Sequence, residues 1–248
     1  MDVRPEVCVF AGPAELAEAA AQRITVAATD AIAARQRFVI ALAGGATPRA
    51  TYMRLAQSPY NDALGWSWTS VFFGDERCVP PEHPESNYRM ANETLLSKVP
   101  LPPSQVFRIR GEAEDSEAAA AEYARKLTDV FGTRRGELPR FDVILLGMGV
   151  DGHTASLFPG SPVLKEIFRP VAAVHAAAAA IPERITLTFP VLNAAAQILF
   201  LVEGAEKAKA VKAVLVDGAL LPAGMVRPVD GRVTWLLDGA AAKLLGSA

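Results

Sequence analysis

The residues best suited to chemistry lie in one glycine-rich stretch, Gly147-Met148-Gly149-Val150-Asp151-Gly152-His153-Thr154-Ala155-Ser156-Leu157-Phe158-Pro159-Gly160. An imidazole on such a loop can exchange a proton with a bound molecule, which makes His153 the candidate general base; a structural histidine is the alternative. Asp151, two residues earlier, either orients that imidazole or caps a following helix. Ser156 lies near His153 but outside any Gly-x-Ser-x-Gly elbow, so direct attack by water is a simpler reading than an acyl-enzyme, and no spacing of histidines and carboxylates demands zinc, so no metal is expected.

Three further clusters carry charge or backbone donors. Ala43-Gly44-Gly45-Ala46-Thr47-Pro48 follows an apolar run and opens a helix, where Gly44, Gly45 and Thr47 can bring free N–H groups to a phosphate; a plain tight turn is the alternative. Gly74-Asp75-Glu76-Arg77, with Ser86-Asn87 after it, sets carboxylates beside an arginine, whose planar fork suits an anion; a surface ion pair is the alternative. Asp75 is the second candidate base. Arg184 opens one apolar run and Lys207 follows another through Gly204, so a parallel or mixed sheet can bring both to one crevice. His83 lies in a loop rich in Pro and Glu and His175 precedes an alanine run, and both carry less weight.

The elements that must position these residues alternate between short apolar runs and amphipathic segments, the pattern of βαβ units. Strands are expected within a few residues of Met1 and at 37–43, 69–73, 141–146, 185–189, 198–202 and 233–237. Helices are expected to open at Pro48, to run from the Ser86 cap to about Lys98, and to cover 112–131, 206–216 and 240–245. The fold class is therefore α/β, a Rossmann-like, doubly wound and mostly parallel sheet with helices on both faces, in one domain over 1–248. Ligands of such sheets gather outside the carboxyl ends of the strands, where the sharpest of these motifs fall.

Of 248 residues, 51% are hydrophobic and 21% charged, enough apolar material for a buried sheet. The formal charge of -2 argues against a nucleic-acid or anionic-membrane partner, which would call for clustered Lys and Arg. Cys8 and Cys78 are too few for a disulfide framework and too far apart for a zinc knuckle. With no basic leader followed by a long apolar stretch, a cytoplasmic protein is expected, working as a monomer or small homo-oligomer.

In order, GGATP, GDERCVP with its SN, GMGVDGHTASLFPG, RITLTFPVLN and LVEGAEKAKA resemble the motif series of the 6-phosphogluconolactonase family, over residues 43–211. The resemblance implies the Rossmann-like fold shared with glucosamine-6-phosphate deaminases, and hydrolysis of 6-phosphoglucono-δ-lactone to 6-phosphogluconate with no cofactor. It implies a phosphorylated sugar lactone as the small-molecule partner. His153 then matches the family's general base, Gly44, Gly45 and Thr47 its phosphate loop, and Arg77, Arg184 and Lys207 its basic positions. Ala43 and Ala46 depart from the family's Ser-Gly-Gly-Ser-Thr-Pro, leaving backbone N–H groups and Thr47 to hold the phosphate. The deaminase pattern is the competing reading, but it has a glutamate where this chain has Phe158 and a tyrosine where it has Arg77. A sugar-phosphate sensor domain is a remote third reading, for which no DNA-reading segment is evident.

Overall fold

Apolar runs too short for helices become strands, and the structure, a computed structural model, describes residues 5–134, 136–177 and 179–246. The described strands are β1 (Glu6–Phe10), β2 (Phe38–Leu42), β3 (Thr69–Phe73), β4 (Asp75–Arg77), β5 (Val143–Leu146), β6 (Val171–His175), β7 (Glu183–Leu187), β8 (Gln197–Val202) and β9 (Arg232–Asp238). The helices are α1 (Pro13–Arg35), α2 (Ala46–Leu55), α3 (Tyr60–Ala63), α4 (Asn87–Thr94), α5 (Ser116–Phe131), α6 (Phe189–Leu192), α7 (Ala208–Leu215), α8 (Pro222–Met225) and α9 (Gly239–Ala242).

Six strands form a parallel sheet in the order β1-β9-β8-β5-β2-β3, flanked by helices on both faces. The central strands β2 and β5 are buried along their whole length, as unbroken apolar runs require in a doubly covered sheet. From β2 the chain passes outward to β3 and then returns beyond β2 to β5, so the winding reverses between β2 and β5. Crossovers leaving in opposite directions open a crevice at the carboxyl ends of those two strands.

Strand 185–189 of the sequence reading is displaced. It runs Glu183–Leu187 and belongs to a second, antiparallel sheet in the order β4-β7-β6, because an apolar run specifies a strand without naming its neighbour. Gly74 joins the two sheets: its N–H donates to Leu42 O in the first, and its carbonyl accepts from Leu187 N in the second. The helix capped by Ser86 ends at Thr94, with a separate turn at Leu96–Lys98, and the helix expected over 206–216 is a turn at Ala205–Lys207 followed by α7. The helix expected over 112–131 begins only at Ser116, where Asp115 accepts the N–H groups of Glu117 and Ala118. Of the alanine run 176–180, Ala178 lies outside the described residues. Helix α1 was not assigned from sequence; its buried face is mostly alanine, which offers little contrast in hydrophobicity.

Candidate active site

The loops leaving β2, β3, β5 and β8, four adjacent strands, line one cleft of about 340 Å³. Its walls include Gly44, Gly45, Thr47, Asp75, Arg77, His153, Arg184 and Lys207, eight of the nine residues singled out from the sequence. Asp151 is not on the wall but is hydrogen-bonded to His153 there.

The floor begins at the end of β2. Tyr52, fully buried in α2, donates its hydroxyl to Ala43 O and accepts from Ala43 N, so the last backbone groups before the glycines are satisfied from behind. At Gly44 a Cβ would lie 1.9 Å from Asn87 Oδ1, so only glycine lets the α4 side chain approach. Gly45, at φ 105, turns the chain into α2. The first N–H groups of that helix have no intrahelical acceptor, and Pro48 loses no bond by lacking one, so Ala46 and Thr47 present an anion cradle.

The candidate base stands on the loop after β5. His153 Nδ1 lies 2.6 Å from Asp151 Oδ1, and the His153 backbone N–H donates to the same oxygen at 3.1 Å. Burial works against ionisation of Asp151, but the His153 N–H and imidazole outweigh it and hold the carboxyl below its ordinary value. No helix follows Asp151, so of its two sequence-level roles the structure displays the contact with the imidazole. The loop closes on itself, with Gly149 N donating to His153 O and Gly152 N to Gly149 O. A Cβ at Gly149 would come within 2.1 Å of His153 Nδ1 and 2.6 Å of Asp151 Oδ1, so this glycine is the space the pair occupies.

Two arginines meet across the second sheet, where Arg77 of β4 is in register with Arg184 of β7. Arg77 is tethered to Glu85 through its backbone carbonyl and its carboxylate, while its buried Nε has no partner. Arg184 donates Nε to Ile181 O and forms no salt bridge with any described residue. Burial, and then the charge of Arg77, push the Arg184 guanidinium down from its ordinary value. These two neighbouring cations lack full partners and can meet an anion; Lys207, on the turn after β8, adds a third cation to a cleft whose walls also carry Asp75, Glu203 and Glu206.

Asp75 is placed differently from a free base. Its carboxylate accepts from Ser156 Oγ at 2.7 Å and Asn87 Nδ2 at 3.1 Å, and it is 6% exposed. It ties the His153 loop to α4. The adjacent Glu76, 2% exposed, accepts from the N–H groups of Arg77, Asn87 and Tyr88 and from Ser86 Oγ, which anchors the start of α4; burial nonetheless raises its carboxyl. The sequence offered Ser156 only as a nucleophile lacking its elbow, and gave Asn87 and Tyr52 no role at the site. Asn87 and Ser156 sit inside quoted motifs, but their partners are 12 and 81 residues away; Tyr52 carried no signal. Among the described residues no group of three or more His, Cys, Asp or Glu could hold a metal ion.

Residues 11–235 match the family described as glucosamine-6-phosphate isomerases/6-phosphogluconolactonase. The chain is 42% identical to the 6-phosphogluconolactonase of Rattus norvegicus, over 96% of this chain and 93% of that one. It is 40% identical to a probable chloroplastic 6-phosphogluconolactonase 3 of Oryza sativa subsp. indica, over 96% of this chain and 76% of the relative. The solved structure of 6-phosphogluconolactonase from Trypanosoma cruzi superposes with a TM-score of 0.88 at 30% identity, covering 100% of this chain and 99% of that one. With its parallel sheet, the switch-point cleft and a match spanning nearly its whole length, the chain belongs to the glucosamine-6-phosphate isomerase/6-phosphogluconolactonase family.

Proposed function

We propose that the cleft hydrolyses 6-phospho-D-glucono-1,5-lactone to 6-phospho-D-gluconate, a reaction of the oxidative pentose phosphate pathway, with His153 activating water. The observation that carries this reading is the His153 imidazole, held at Nδ1 by Asp151 and facing a cleft that also holds three cations and a helix N-terminus. The phosphate docks on Gly44, Gly45 and Thr47 with Arg184 or Lys207. Nε2 of neutral His153 takes a proton from water as the water oxygen bonds to C1. Charge growing on the carbonyl oxygen is met by backbone N–H groups or Arg77. As the bond from C1 to the ring oxygen breaks, the imidazolium returns its proton to that oxygen. Asp75, whose carboxylate is already engaged by Ser156 and Asn87, serves as an anchor for the loop.

The deaminase reading is disfavoured by Phe158, whose ring lies 4.4 Å from the His153 ring where the resemblance to deaminases would call for a carboxylate. Purified protein is expected to hydrolyse the phosphorylated lactone and to release no ammonia from glucosamine 6-phosphate; ammonia at a comparable rate would reverse the choice. A chelator should leave the lactonase rate unchanged. We further propose one domain over 1–248, supported by a single buried cluster joining both sheets, which limited proteolysis tests. A monomer or small homo-oligomer is proposed, and sedimentation tests it. A cytoplasmic location is supported by two free cysteines, and cell fractionation tests it. Among the described residues no helix is long and apolar enough to cross a membrane.

A further inference from the structure

Phe158 sits five residues after His153 on the same loop, half-buried, and it is absent from both the buried core and the apolar side chains packed against that core. Its ring is used elsewhere. The His153 imidazole lies 4.4 Å away, centroid to centroid, with the planes tilted by 35°, and the Arg184 guanidinium carbon lies 5.6 Å from the same centroid. One aromatic ring therefore touches the candidate base and one of the candidate phosphate cations, which come from different sheets.

We propose that Phe158 is a positioning residue for the hydrolysis, aligning His153 and Arg184 against one ring and favouring the protonated imidazole that forms during the reaction. The inference rests on the reading of His153 as the base. An aromatic face is electron-rich and attracts cations, so it acts weakly on neutral imidazole and more strongly on imidazolium. The contact therefore strengthens as water is deprotonated, which is the condition for lowering a barrier rather than merely binding substrate. On the other side, Arg184 is fixed only through Nε to Ile181 O, and its outer nitrogens have no hydrogen-bond partner among the described residues. The ring supplies a second support, holding the guanidinium plane while leaving those nitrogens for an anion.

The groups facing His153 define what a pH measurement would report. Asp151 holds Nδ1 on its own loop, and Arg184, with Arg77 beside it, lies across the Phe158 ring. Asp75, Glu203, Glu206 and Lys207 line the same cleft. Phe158→Leu changes none of these and keeps an apolar group at the position, so a shift in titration isolates the aromatic face. Losing that face disfavours imidazolium relative to neutral imidazole, which is the direction the measurement reads.

The test combines NMR titration of the His153 ring with kinetics on the phosphorylated lactone, for wild type, Phe158→Leu and Phe158→Tyr. Phe158→Leu is expected to titrate at lower pH, to lose about 3- to 30-fold in kcat, and to raise KM several-fold through Arg184. Phe158→Tyr keeps the face and should stay close to wild type in all three. The inference is overturned if folded Phe158→Leu keeps the wild-type titration, kcat and KM, even with a lowered melting temperature, or if Phe158→Tyr is as impaired as Phe158→Leu. Should Phe158→Leu not fold, Phe158→Met is measured in the same way against the same criteria. A wild-type protein inactive on the lactone would remove the functional reading and the role in hydrolysis with it, whereas the titration separately decides what the ring does to His153.

Discussion

Asp151 and His153 share a single oxygen: Oδ1 receives the imidazole nitrogen at 2.6 Å and the backbone N–H at 3.1 Å. With Nδ1–H donating to the carboxylate, Nε2 carries the lone pair and is the atom available to a substrate-bound water. Aim and tautomer are thus set by a residue two positions away, and Gly149 clears the space for both.

Replacing that carboxylate tests the pairing. The His153 N–H and ring outweigh burial and lower the Asp151 carboxyl, and by reciprocity the carboxylate favours imidazolium. In Asp151→Asn the acid limb of the kcat profile should therefore move to lower pH, while kcat on the plateau falls because the tautomer is no longer fixed. An unchanged pH profile would mean that Asp151 does not act on the base.

His153→Ala removes the proposed base. General acid–base groups typically contribute about 10²- to 10⁴-fold, so kcat should drop by that order with KM little changed. Because the lactone also opens unaided, rates need subtraction of the enzyme-free reaction. Near-normal turnover in a folded variant would return the role to Asp75.

In the proposed reading, phosphate recognition divides between Arg184 and Lys207. A hydrogen bond to a charged group contributes about 1.5 to 3 kcal/mol, so Arg184→Ala or Lys207→Ala should weaken substrate binding roughly 10- to 150-fold. The unphosphorylated lactone should be a poor substrate of the wild type and discriminate little between wild type and variants. Wild-type affinity in both alanine variants would show that the phosphate sits elsewhere.

Acid stability has a separate handle away from the cleft. Glu166 accepts the Arg169 N–H, the Arg169 guanidinium at 2.6 Å and the Phe168 N–H, which together lower its carboxyl from 4.5 to about 2. A carboxyl depressed on folding contributes stability that is complete above its unfolded value and is lost as pH falls through the folded one. Between pH about 4.5 and 2, the melting temperature of Glu166→Gln should fall less steeply than that of wild type, and calorimetry across that window checks it. Parallel slopes would show that this carboxylate is not linked to folding.

Much of this protein was legible in its residues because the relevant signals are local. Burial on both faces makes β2, β5 and β8 unbroken apolar runs, and a strand, glycines and a helix start are contiguous at 38–55, so both the strands and the phosphate loop could be read directly. His153 and the motif order were equally visible. Tertiary structure decided what depends on partners distant in sequence. Strand β7 left the main sheet for β4 and β6, which brought Arg184 opposite Arg77 across a gap of over one hundred residues. The Asp75 carboxylate accepts from both Ser156 and Asn87, a brace between the His153 loop and α4 that no local pattern announces. Phe158 was drawn onto the His153 imidazole and the Arg184 guanidinium and away from the core. Backbone conformation and burial follow from neighbours along the chain, whereas strand pairing and the occupancy of a carboxylate are settled only by which surfaces meet.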